Sequence, residues 1–562
     1  MIFISSSILE EITELTLKGN YKQLGKLIRK AKREGYDPRE IIKALSSGLS
    51  DVSDKYKTKG MYLDDVILSA AAFEVGVQSL GLPEVEDVPN EKKIVLGVMG
   101  GPWTIGTSIV SANLKAHGFK VFDAGSDISP EKIVQSVKDS NARLVASAIY
   151  LPHSKEEVAK LEELLWKNGL RHKVRTILSG PAGSSQMAEK LNINAYVKGV
   201  KDLVVKVKEF SDELKNEMTS YDRVMTSLKH KEPDRVPFMP FAQTFSARFA
   251  GIPFSDYVSR AEAMFKGQMT VYNAFGWDAL CFSSDVGMYA GALGAKIEFP
   301  KDDVPRIAEP VLSHGKLYED FKKLDMVDPM NAGRLTESIK AIEMAKKEVG
   351  DDVPLIGWIE APFQGTALLG GGDPFLIFYV LDHPDEFKEI LDWYADWAID
   401  IAKAMHEAGA DIIGAGETAG YFMSPKFFKE FVLEPEKKLC SAIKKLGMYP
   451  LIHCCGYVPQ CVPFIKDTNP GGAIQFDYQV DLKWAKELLK DEVTIMGNLN
   501  YNKLINADPQ QCYENCARHI RTAAEGGGYW LAFGCEIPRD MPAKNIQAIL
   551  RATKTVGKYP IE

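Results

Sequence analysis

Residues 449–456 read YPLIHCCG, a short apolar run that ends in one histidine and two cysteines. An apolar run of this length, closed by glycine, is typical of a buried β-strand. Helical segments separate most of seven further runs of the same kind: VPFMPF, ALCFSS, PLIGWIE, ADIIGAGE, AIQFDYQ, VTIMGNLN and YWLAFGCE. Eight βα units over about 340 residues predict a TIM (β/α)8 barrel with insertions, and we assign it to residues 213–562.

The residues with the most distinctive chemistry stand where predicted strands end. Glu417 closes the fourth strand, His453 and Cys455 close the fifth, and Cys535 closes the eighth. The carboxyl ends of all barrel strands meet at one mouth, where active sites are built. Side chains two positions apart on a strand share a face, so His453 and Cys455 point inward together while Cys454 points away. We therefore predict that His453, Cys455 and Cys535 bind a metal ion.

One histidine and two thiolates suit zinc, which keeps its fourth position for an exchangeable group in catalytic sites. Zinc lowers the pKa of a bound thiol, and the thiolate is the reactive nucleophile. A sulfur-rich site therefore favours activation of a thiol over hydrolysis. Spacing alone leaves open that the three residues are unrelated core residues. It also leaves open whether Glu417 is a fourth ligand or a carboxylate of the mouth.

Two other patterns precede the barrel. Apolar residues at helical spacing, such as Ile12, Leu24 and Ile28, predict a bundle of about four short helices over residues 1–88. After a linker rich in proline and acidic residues come five β-rich runs that alternate with helices: IVLGVM, KVFDAG, LVASAIY, TILSG and AYVKG. Strands that alternate with helices predict a doubly wound, flavodoxin-like parallel sheet over residues 89–212. The fold class is therefore α/β with a helical cap.

The composition narrows the location and the partners. The chain of 562 residues has a formal net charge of −8 and no basic block, which argues against nucleic acid or an anionic membrane as a partner. Its start lacks the basic region of a signal peptide, and no apolar run reaches the length of a membrane span. All eight cysteines lie at position 281 or later, which is typical of metal or thiolate chemistry in a reducing compartment. We expect a cytoplasmic protein.

From about residue 220 onward the chain resembles the uroporphyrinogen decarboxylase superfamily, in its zinc methyltransferase branch. The segments RVMTSLKHKEPDRVP, ETAGYFMSP, IHCCG and GCEIPRDMP carry the resemblance. It implies that His453, Cys455 and Cys535 bind zinc, and that the enzyme moves methyl groups between a corrinoid and coenzyme M. MPFAQTFSARF, after the first strand, does not show the arginine-rich motif of the decarboxylases, which disfavours porphyrinogen decarboxylation.

Residues 1 to about 212 resemble the corrinoid proteins of the same methyl-transfer systems. REGYDPREIIKALSSGLSDVSDKY and YLDDVILSAAAFEVG are similar to their helical cap, and GPWTIG, SAI and SGPAG stand at their cofactor motifs. The resemblance implies that a corrinoid contacts five positions: Trp103, Thr104, Gly106, Ser147 and Gly180. It also implies that Trp103 replaces the histidine that ligates cobalt from below. His153, after the third strand, is a further histidine that could approach the corrin.

These observations predict a corrinoid- and zinc-dependent methyltransferase whose cofactors are a cobalamin-type corrinoid and Zn2+. Fusion of the corrinoid and zinc domains raises the effective concentration of the two centres. We expect Glu417 and Asp477 to be catalytic carboxylates, and a small methylated substrate or a thiol acceptor as partner. A separate methyltransferase or a corrinoid-reactivating protein are further partners. Other residues of the mouth are expected to set the substrate: Gln243, Asp285, Glu360, Gln364, Asn498 and Asn500.

Three alternatives remain at this stage. The enzyme could run in the other direction and demethylate a methyl thioether or a methoxylated substrate onto reduced cobalt. It could also be a non-catalytic corrinoid carrier or a decarboxylase, and the H-x-C motif with its distal cysteine disfavours both.

Overall fold

The computed structural model describes residues 7–57, 60–82, 86–102, 105–372 and 376–561. The chain divides into two compact units, Met1–Glu217 and Met218–Glu562. Trp103 and Thr104 lie outside the described residues, so their predicted role in corrinoid binding stays a prediction. The division of the chain at residues 88 and 212 also stays a prediction.

The first unit begins with a bundle of four helices: α1 (Ile8–Leu17), α2 (Tyr21–Arg33), α3 (Pro38–Lys57) and α4 (Leu63–Leu80). Ile12, Leu24 and Ile28 are fully buried in its core, as their helical spacing predicts. Helix α4 ends at Gly81, whose φ of 56° is the left-handed conformation that glycine adopts at helix ends.

Next comes a sheet of five parallel strands: β1 (Lys93–Met99), β2 (Lys120–Asp123), β3 (Leu144–Ile149), β4 (Arg175–Ser179) and β5 (Ala195–Val197). Its helices are α5 (Ile105–Ala116), α6 (Pro130–Ser140), α7 (Lys155–Lys167), α8 (Ser185–Lys190) and α9 (Val200–Lys215). The strand order β2-β1-β3-β4-β5 is the flavodoxin-like order, and it confirms the predicted doubly wound sheet. The order reverses between β1 and β3, where ligands of such sheets bind.

The second unit contains a parallel sheet in the order β14-β13-β12-β11-β10-β9-β6. Its strands are β6 (Leu280–Phe282), β9 (Leu355–Glu360), β10 (Ile412–Gly416), β11 (Tyr449–Cys454), β12 (Ala473–Phe476), β13 (Thr494–Met496) and β14 (Tyr529–Trp530). β7 (Lys296–Glu298) and β8 (Arg306–Glu309) form a separate antiparallel pair that the sequence did not predict.

The predicted first strand, residues 236–241, closes the barrel. The Met239 amide donates to the Leu531 carbonyl at 3.1 Å beyond β14, and the Asp278 amide donates to the Phe238 carbonyl at 2.8 Å before β6. This segment pairs through such single contacts because Pro237 and Pro240 remove two amide donors. Seven of the eight predicted strands are strands of this sheet, the first pairs only through isolated contacts, and the TIM-barrel class is confirmed.

Helices surround the barrel. They are α10 (Ser220–Leu228), α11 (Gln243–Phe249), α12 (Phe254–Tyr257), α13 (Ala261–Phe275), α14 (Gly287–Ala292), α15 (Leu317–Phe321), α16 (Arg334–Val349), α17 (Pro362–Leu369), α18 (Leu376–Asp382), α19 (Pro384–Glu407), α20 (Thr418–Tyr421), α21 (Pro425–Phe427), α22 (Leu433–Lys445), α23 (Ile465–Thr468), α24 (Leu482–Leu489), α25 (Tyr501–Leu504), α26 (Pro509–Ala523) and α27 (Ala543–Thr555). None of the described helices is both long and apolar enough to cross a membrane.

Alternate residues of the strands fill the barrel. Ile356, Trp358, Ile412 and Leu451 belong to one buried cluster, which Val224 of α10 and its helical neighbours also join. Helix α9 ends at Lys215 and α10 starts at Ser220, because the Thr219 side chain caps α10 by accepting from the Asp222 amide.

Candidate active site

Three side chains with metal-ligand atoms come together at the carboxyl ends of β11 and β14. His453 Nε2 lies 2.9 Å from Cys455 Sγ, Cys455 Sγ lies 3.3 Å from Cys535 Sγ, and Cys535 Sγ lies 3.9 Å from His453 Nε2. Among the described residues these are the His, Cys, Asp and Glu groups whose ligand atoms all lie within 4.8 Å of one another. The geometry thus brings together the three residues that the sequence picked as metal ligands.

Two aromatic rings fix the His453 imidazole against the barrel interior. Phe241 lies edge-on to it at a centroid distance of 5.9 Å, and Trp358 lies at 5.7 Å. Its Nδ1 atom is buried, and no hydrogen-bond partner for it stands among the described residues. The imidazole is therefore oriented by packing, with Nε2 directed at the two cysteines.

A hydrogen bond between Cys455 and Cys535 shifts the pKa values of the two thiols in opposite directions. The pKa of Cys455 lies below its usual value, first because Cys535 is hydrogen-bonded to its sulfur. The pKa of Cys535 is raised by the same contact and by burial. The Cys455 amide donates to Thr418 Oγ1 at 3.0 Å, which fixes the loop after β11. A divalent cation between the sulfurs would displace the shared proton, as metals do at thiol sites.

The other cysteines are buried in the protein core. Cys454 Sγ lies 3.6 Å from the Gln475 carbonyl, on the opposite face of β11 from His453, as strand alternation predicts. Cys512 and Cys516 are both fully buried on α26, in agreement with a packing role. Burial raises the pKa of Cys461 to about 12.

Glu417 is buried beside the site, and its carboxylate is held by the start of a helix. Its two oxygens accept hydrogen bonds from the amides of Phe363 at 3.2 Å and Gln364 at 2.9 Å, the first turn of α17. Burial raises the pKa of Glu417 well above its usual value and Glu436 adds to the rise, while these backbone donors oppose it. Glu417 is not in the close group that His453 forms with the cysteines.

Asp477 follows β12 and is buried near the same sulfurs. One carboxylate oxygen accepts from the Gln479 amide at 3.2 Å, and the other lies 3.5 Å from the Tyr501 hydroxyl. Its charge acts against ionisation of Cys455. Tyr501 in turn interacts with Asp477, Cys535 and Cys455, which together with burial raise its pKa. Sequence reasoning missed Thr418 and Tyr501, because neither has a distinctive spacing.

The remaining predicted mouth residues divide into two groups. Asp285 is paired with Arg334, Gln364 accepts from the Ala419 amide at 2.9 Å, Asn498 donates to two backbone carbonyls, and Asn500 caps α25. Those four side chains have structural partners. Gln243 Oε1 is buried and has no partner among the described residues.

Glu360 belongs to this second group. It stands at the end of β9 and is 5% exposed. Burial raises the pKa of Glu360 to about 8 and Asp285 adds to the rise, while a hydrogen bond from Trp358 opposes it.

In the first unit, glycines line the sheet edge where the strand order reverses. A Cβ added at Gly106 would lie 3.0 Å from the Tyr150 hydroxyl, and one added at Gly180 would lie 2.2 Å from the Ile149 carbonyl oxygen. Gly180 also has a φ of +92°, which side chains rarely adopt. Ser147 lies in the middle of β3 and is buried. At Gly180 the backbone therefore approaches the end of β3 closely, at an edge of the sheet where ligands of such folds bind.

His153 is the histidine nearest to this edge that the sequence singled out. It is exposed in a short turn after β3, and its Nε2 lies 3.6 Å from a Cβ added at Gly100, directly after β1. His117 lies instead at the end of α5, where Nδ1 is 2.8 Å from the Asn113 carbonyl. The structure thus places His153, and not His117, next to the crevice.

Three sequence models of known families match the chain. Residues 219–556 match uroporphyrinogen decarboxylase (URO-D), and residues 92–204 and 8–80 each match a B12 binding domain. A methylcobamide:CoM methyltransferase, MtbA of Methanosarcina mazei, is 27% identical over 344 residues, covering 60% of this chain and 98% of its own. The trimethylamine corrinoid protein 2 of the same organism is 29% identical over 180 residues, covering 31% of this chain and 82% of its own.

A solved structure of a methyltransferase from Methanosarcina mazei has a similar fold. It superposes with a TM-score of 0.54 at 22% identity, covering 60% of this chain and 99% of that one. The B12-binding matches and the similarity to a methyltransferase and to a corrinoid protein confirm the predicted class, an enzyme of corrinoid-dependent methyl transfer. The chain belongs to the uroporphyrinogen decarboxylase family.

Proposed function

We propose that the chain transfers a methyl group between a corrinoid held by its first unit and a thiol activated by zinc at His453, Cys455 and Cys535. The observation that carries the proposal is the convergence of these three ligand atoms at the barrel mouth. The corrinoid would supply the methyl group as an electrophile, and zinc would supply the charge that lowers the pKa of the thiol.

The donor set fits zinc. Ligand bonds of about 2.0–2.3 Å in a tetrahedral site would separate nitrogen from sulfur by about 3.6 Å and the sulfurs by about 3.8 Å. The observed separations of 2.9, 3.3 and 3.9 Å require only small side-chain shifts to reach those values. Three protein ligands leave one position for substrate, as catalytic zinc sites do.

The surrounding residues position the ligands. Phe241 and Trp358 set the plane of the His453 ring, so rotation of the imidazole would cost packing contacts. Glu417 joins the start of α17 to the end of β10, next to β11, and in this way fixes the wall of the site. We assign Glu417 a positioning role and Asp477 a place beside the substrate thiol, where its partner Tyr501 also lies.

The first unit fits a corrinoid at the edge where β1 and β3 end. Gly106 and Gly180 add no side chain at this edge, where ligands of doubly wound sheets bind. We propose that Trp103, Thr104, Gly106, Ser147 and Gly180 line it. All eight cysteines are free thiols in the structure, which agrees with the proposed location in the reducing cytoplasm.

The proposal predicts that the purified full-length chain, loaded with zinc, methylates a small thiol when methylcobalamin is added. Loss of the methylcobalamin absorbance and formation of the methyl thioether, measured by mass spectrometry, should occur in equal amounts. A zinc-stripped sample serves as the control and should regain activity on zinc addition. Demethylation of a methyl thioether with no thiol methylation would contradict the proposed direction. Binding of cobalamin without either reaction would point to a carrier.

A second prediction concerns Trp103, which offers no lone pair to a metal because its indole nitrogen is a donor. We expect cobalt to lack a protein or benzimidazole nitrogen below the corrin ring. The electron paramagnetic resonance spectrum of the cobalt(II) form should then show no nitrogen coupling. A coupling that disappears in His153→Ala would contradict this expectation and identify His153 as the ligand. A coupling that persists in that variant would show that the cofactor keeps its own base.

A further inference from the structure

The mouth of the barrel is acidic around the proposed zinc site. Glu360, Glu417 and Asp477 end three strands of the barrel and are 5%, 0% and 2% exposed. In the part of the chain that the structure describes, no lysine or arginine forms an ion pair with any of the three. Buried carboxyl groups are normally paired with a cation or held by several donors. Glu417 accepts from two backbone amides, and Asp477 accepts from one amide and the Tyr501 hydroxyl, so what the three carboxyl groups lack among the described residues is a cationic partner.

Glu360 is directed toward the site. It pairs in register with Gly416, which pairs with His453 on the next strand. Its Oε2 atom lies 2.6 Å from where a Cβ on Gly416 would stand, so the carboxyl group extends over the glycine on the inner face of the sheet. The absence of a side chain at Gly416 leaves room for this carboxyl group next to the His453 strand.

Aromatic side chains accompany the carboxylates. The Tyr501 hydroxyl lies beside Asp477, and its ring packs edge-on against Tyr478 at 5.4 Å. At the rim, Phe422 lies over Gly456, directly after Cys455, with its ring 2.6 Å from a Cβ added at that glycine. Phe422 is 52% exposed. Aromatic faces and carboxylates together are the usual surroundings of organic ammonium groups.

The arginines near the mouth have carboxylate partners. Arg334 forms a buried ion pair with Asp285, and its guanidinium stacks on Phe299 at 4.7 Å. Arg248 lies at the end of α11 and pairs with Asp540 at 2.7 Å. Arg539 contacts the same Asp540 carboxylate at 3.6 Å. An anionic group on a substrate would therefore meet carboxyl groups that have no cationic partner, and arginines that already have carboxylate partners.

The buried side-chain amide of Gln243 also favours a substrate that carries N–H donors. Gln243 begins α11, directly after the first barrel strand, so it stands on the mouth side of the barrel. Its Oε1 atom is an acceptor with no donor among the described residues. A substrate that brings N–H donors would satisfy it.

We infer that the thiol substrate of this site carries an ammonium group rather than a sulfonate or carboxylate, and that Glu360 and Asp477 receive that group. The inference rests on the proposed function, because it concerns the end of the thiol that does not react. A cation next to a buried carboxyl group favours its ionised form, so binding of the ammonium group would complete the pairing that the free site lacks. Coenzyme M, a sulfonate, would then be a poor substrate of this chain.

Two thiols with the same spacer give the test. 2-Aminoethanethiol and 2-mercaptoethanesulfonate differ only in the charged end, and 2-mercaptoethanol is their neutral counterpart. With the zinc-loaded full chain and methylcobalamin, we expect kcat/KM for the ammonium thiol to exceed that for the sulfonate by at least about tenfold, which is 1.4 kcal/mol. Each uncatalysed rate is subtracted. An equal rate or a preference for the sulfonate would overturn the inference and leave the proposed function intact.

The variants Glu360→Gln and Asp477→Asn test the receiving residues. In each, the ratio of kcat/KM for the ammonium thiol to that for 2-mercaptoethanol should fall toward one, while zinc content stays at one per chain. Glu487→Gln, which removes one exposed carboxylate from α24, is the matched control and should keep the ratio of the native chain. An unchanged ratio in both mouth variants would overturn the assignment.

Binding of the product thioethers tests this inference independently of the proposed function. Titration calorimetry with 2-(methylthio)ethylamine and 2-(methylthio)ethanesulfonate requires no methyl transfer and no thiol ionisation. The ammonium thioether should bind at least about tenfold more tightly. If neither thiol is methylated, the proposed function fails, and the two thioethers still decide whether the mouth prefers a cation. Equal affinity would overturn the preference.

Discussion

Replacement of Cys535 by alanine should abolish methyl transfer and leave the full-length chain with little zinc after dialysis against a weak chelator. The change removes one of three ligand atoms and the sulfur 3.3 Å from Cys455 Sγ. Loss of residues that merely support metal ligands costs about 10–100-fold in metal affinity, so loss of a ligand should cost at least about 100-fold. Zinc is measured by plasma mass spectrometry, and activity by loss of methylcobalamin absorbance.

Cys454→Ala is the matched control, because Cys454 is one residue from the proposed ligand Cys455 but on the opposite face of β11. Its sulfur contacts the Gln475 carbonyl and is fully buried, so the variant should lose some stability and keep its zinc. Loss of zinc from the folded Cys454→Ala variant would show that the strand register is wrong. Full zinc content in a variant that lacks His453, Cys455 and Cys535 together would contradict their assignment as zinc ligands.

The sequence was enough to predict that His453, Cys455 and Cys535 come together, because two simple rules determine where they lie. Alternation along a strand puts His453 and Cys455 on one face, and closure of a parallel barrel brings the ends of β11 and β14 to one mouth. Neither rule needs knowledge of distant side chains. The same reasoning located the eight strands, although Pro237 and Pro240 weaken the pairing of the first.

Other parts of the site depend on packing that no local pattern encodes. The sequence left open whether Glu417 binds the metal or lines the mouth, and its contacts with the start of α17 involve residues more than 50 positions away. Trp358 orients His453 from β9, and Thr418 fixes the loop of Cys455 from α20. Such contacts between loops arise only when the barrel closes, which is why their residues could not be singled out beforehand.

The second large expected effect is on the stability of the barrel, and it concerns the amino-terminal end of the strands. Asp278 stands before β6, at the opposite end of the strands from the zinc site, and is fully buried. Its carboxylate accepts from Arg223 at 2.6 Å, from both terminal nitrogens of Arg235 at 2.8 and 2.9 Å, and from the Phe238 amide at 2.8 Å. It thereby joins α10 and the first strand to β6. Residues at this end of a TIM barrel serve stability rather than chemistry.

Asp278→Ala should therefore destabilise the barrel by about 3–5 kcal/mol, because it leaves the buried Arg235 guanidinium without its carboxylate and Arg223 with Asp234 alone. Chemical unfolding followed by tryptophan fluorescence measures the effect, since six of the eight tryptophans lie in residues 218–562. The control Asp540→Ala breaks the exposed ion pair with Arg248 and should cost less than about 1 kcal/mol. Zinc content of the folded Asp278→Ala fraction should stay at one per chain.

The pH dependence of the stability difference between the native chain and Asp278→Ala has a definite sign. Burial alone would raise the pKa of Asp278, but the charges of Arg235 and Arg223 and their hydrogen bonds hold it at about 2, below the usual 3.8. A carboxyl group whose folded pKa is depressed stabilises the fold above its unfolded pKa and loses that contribution as the pH falls through the folded value. The stability difference between the native chain and Asp278→Ala should thus be constant from pH 7 to 5 and should shrink below about pH 4. A difference that grows on acidification would mean that Asp278 is buried in its protonated form, and the arginine network would then have to be assigned to other acceptors.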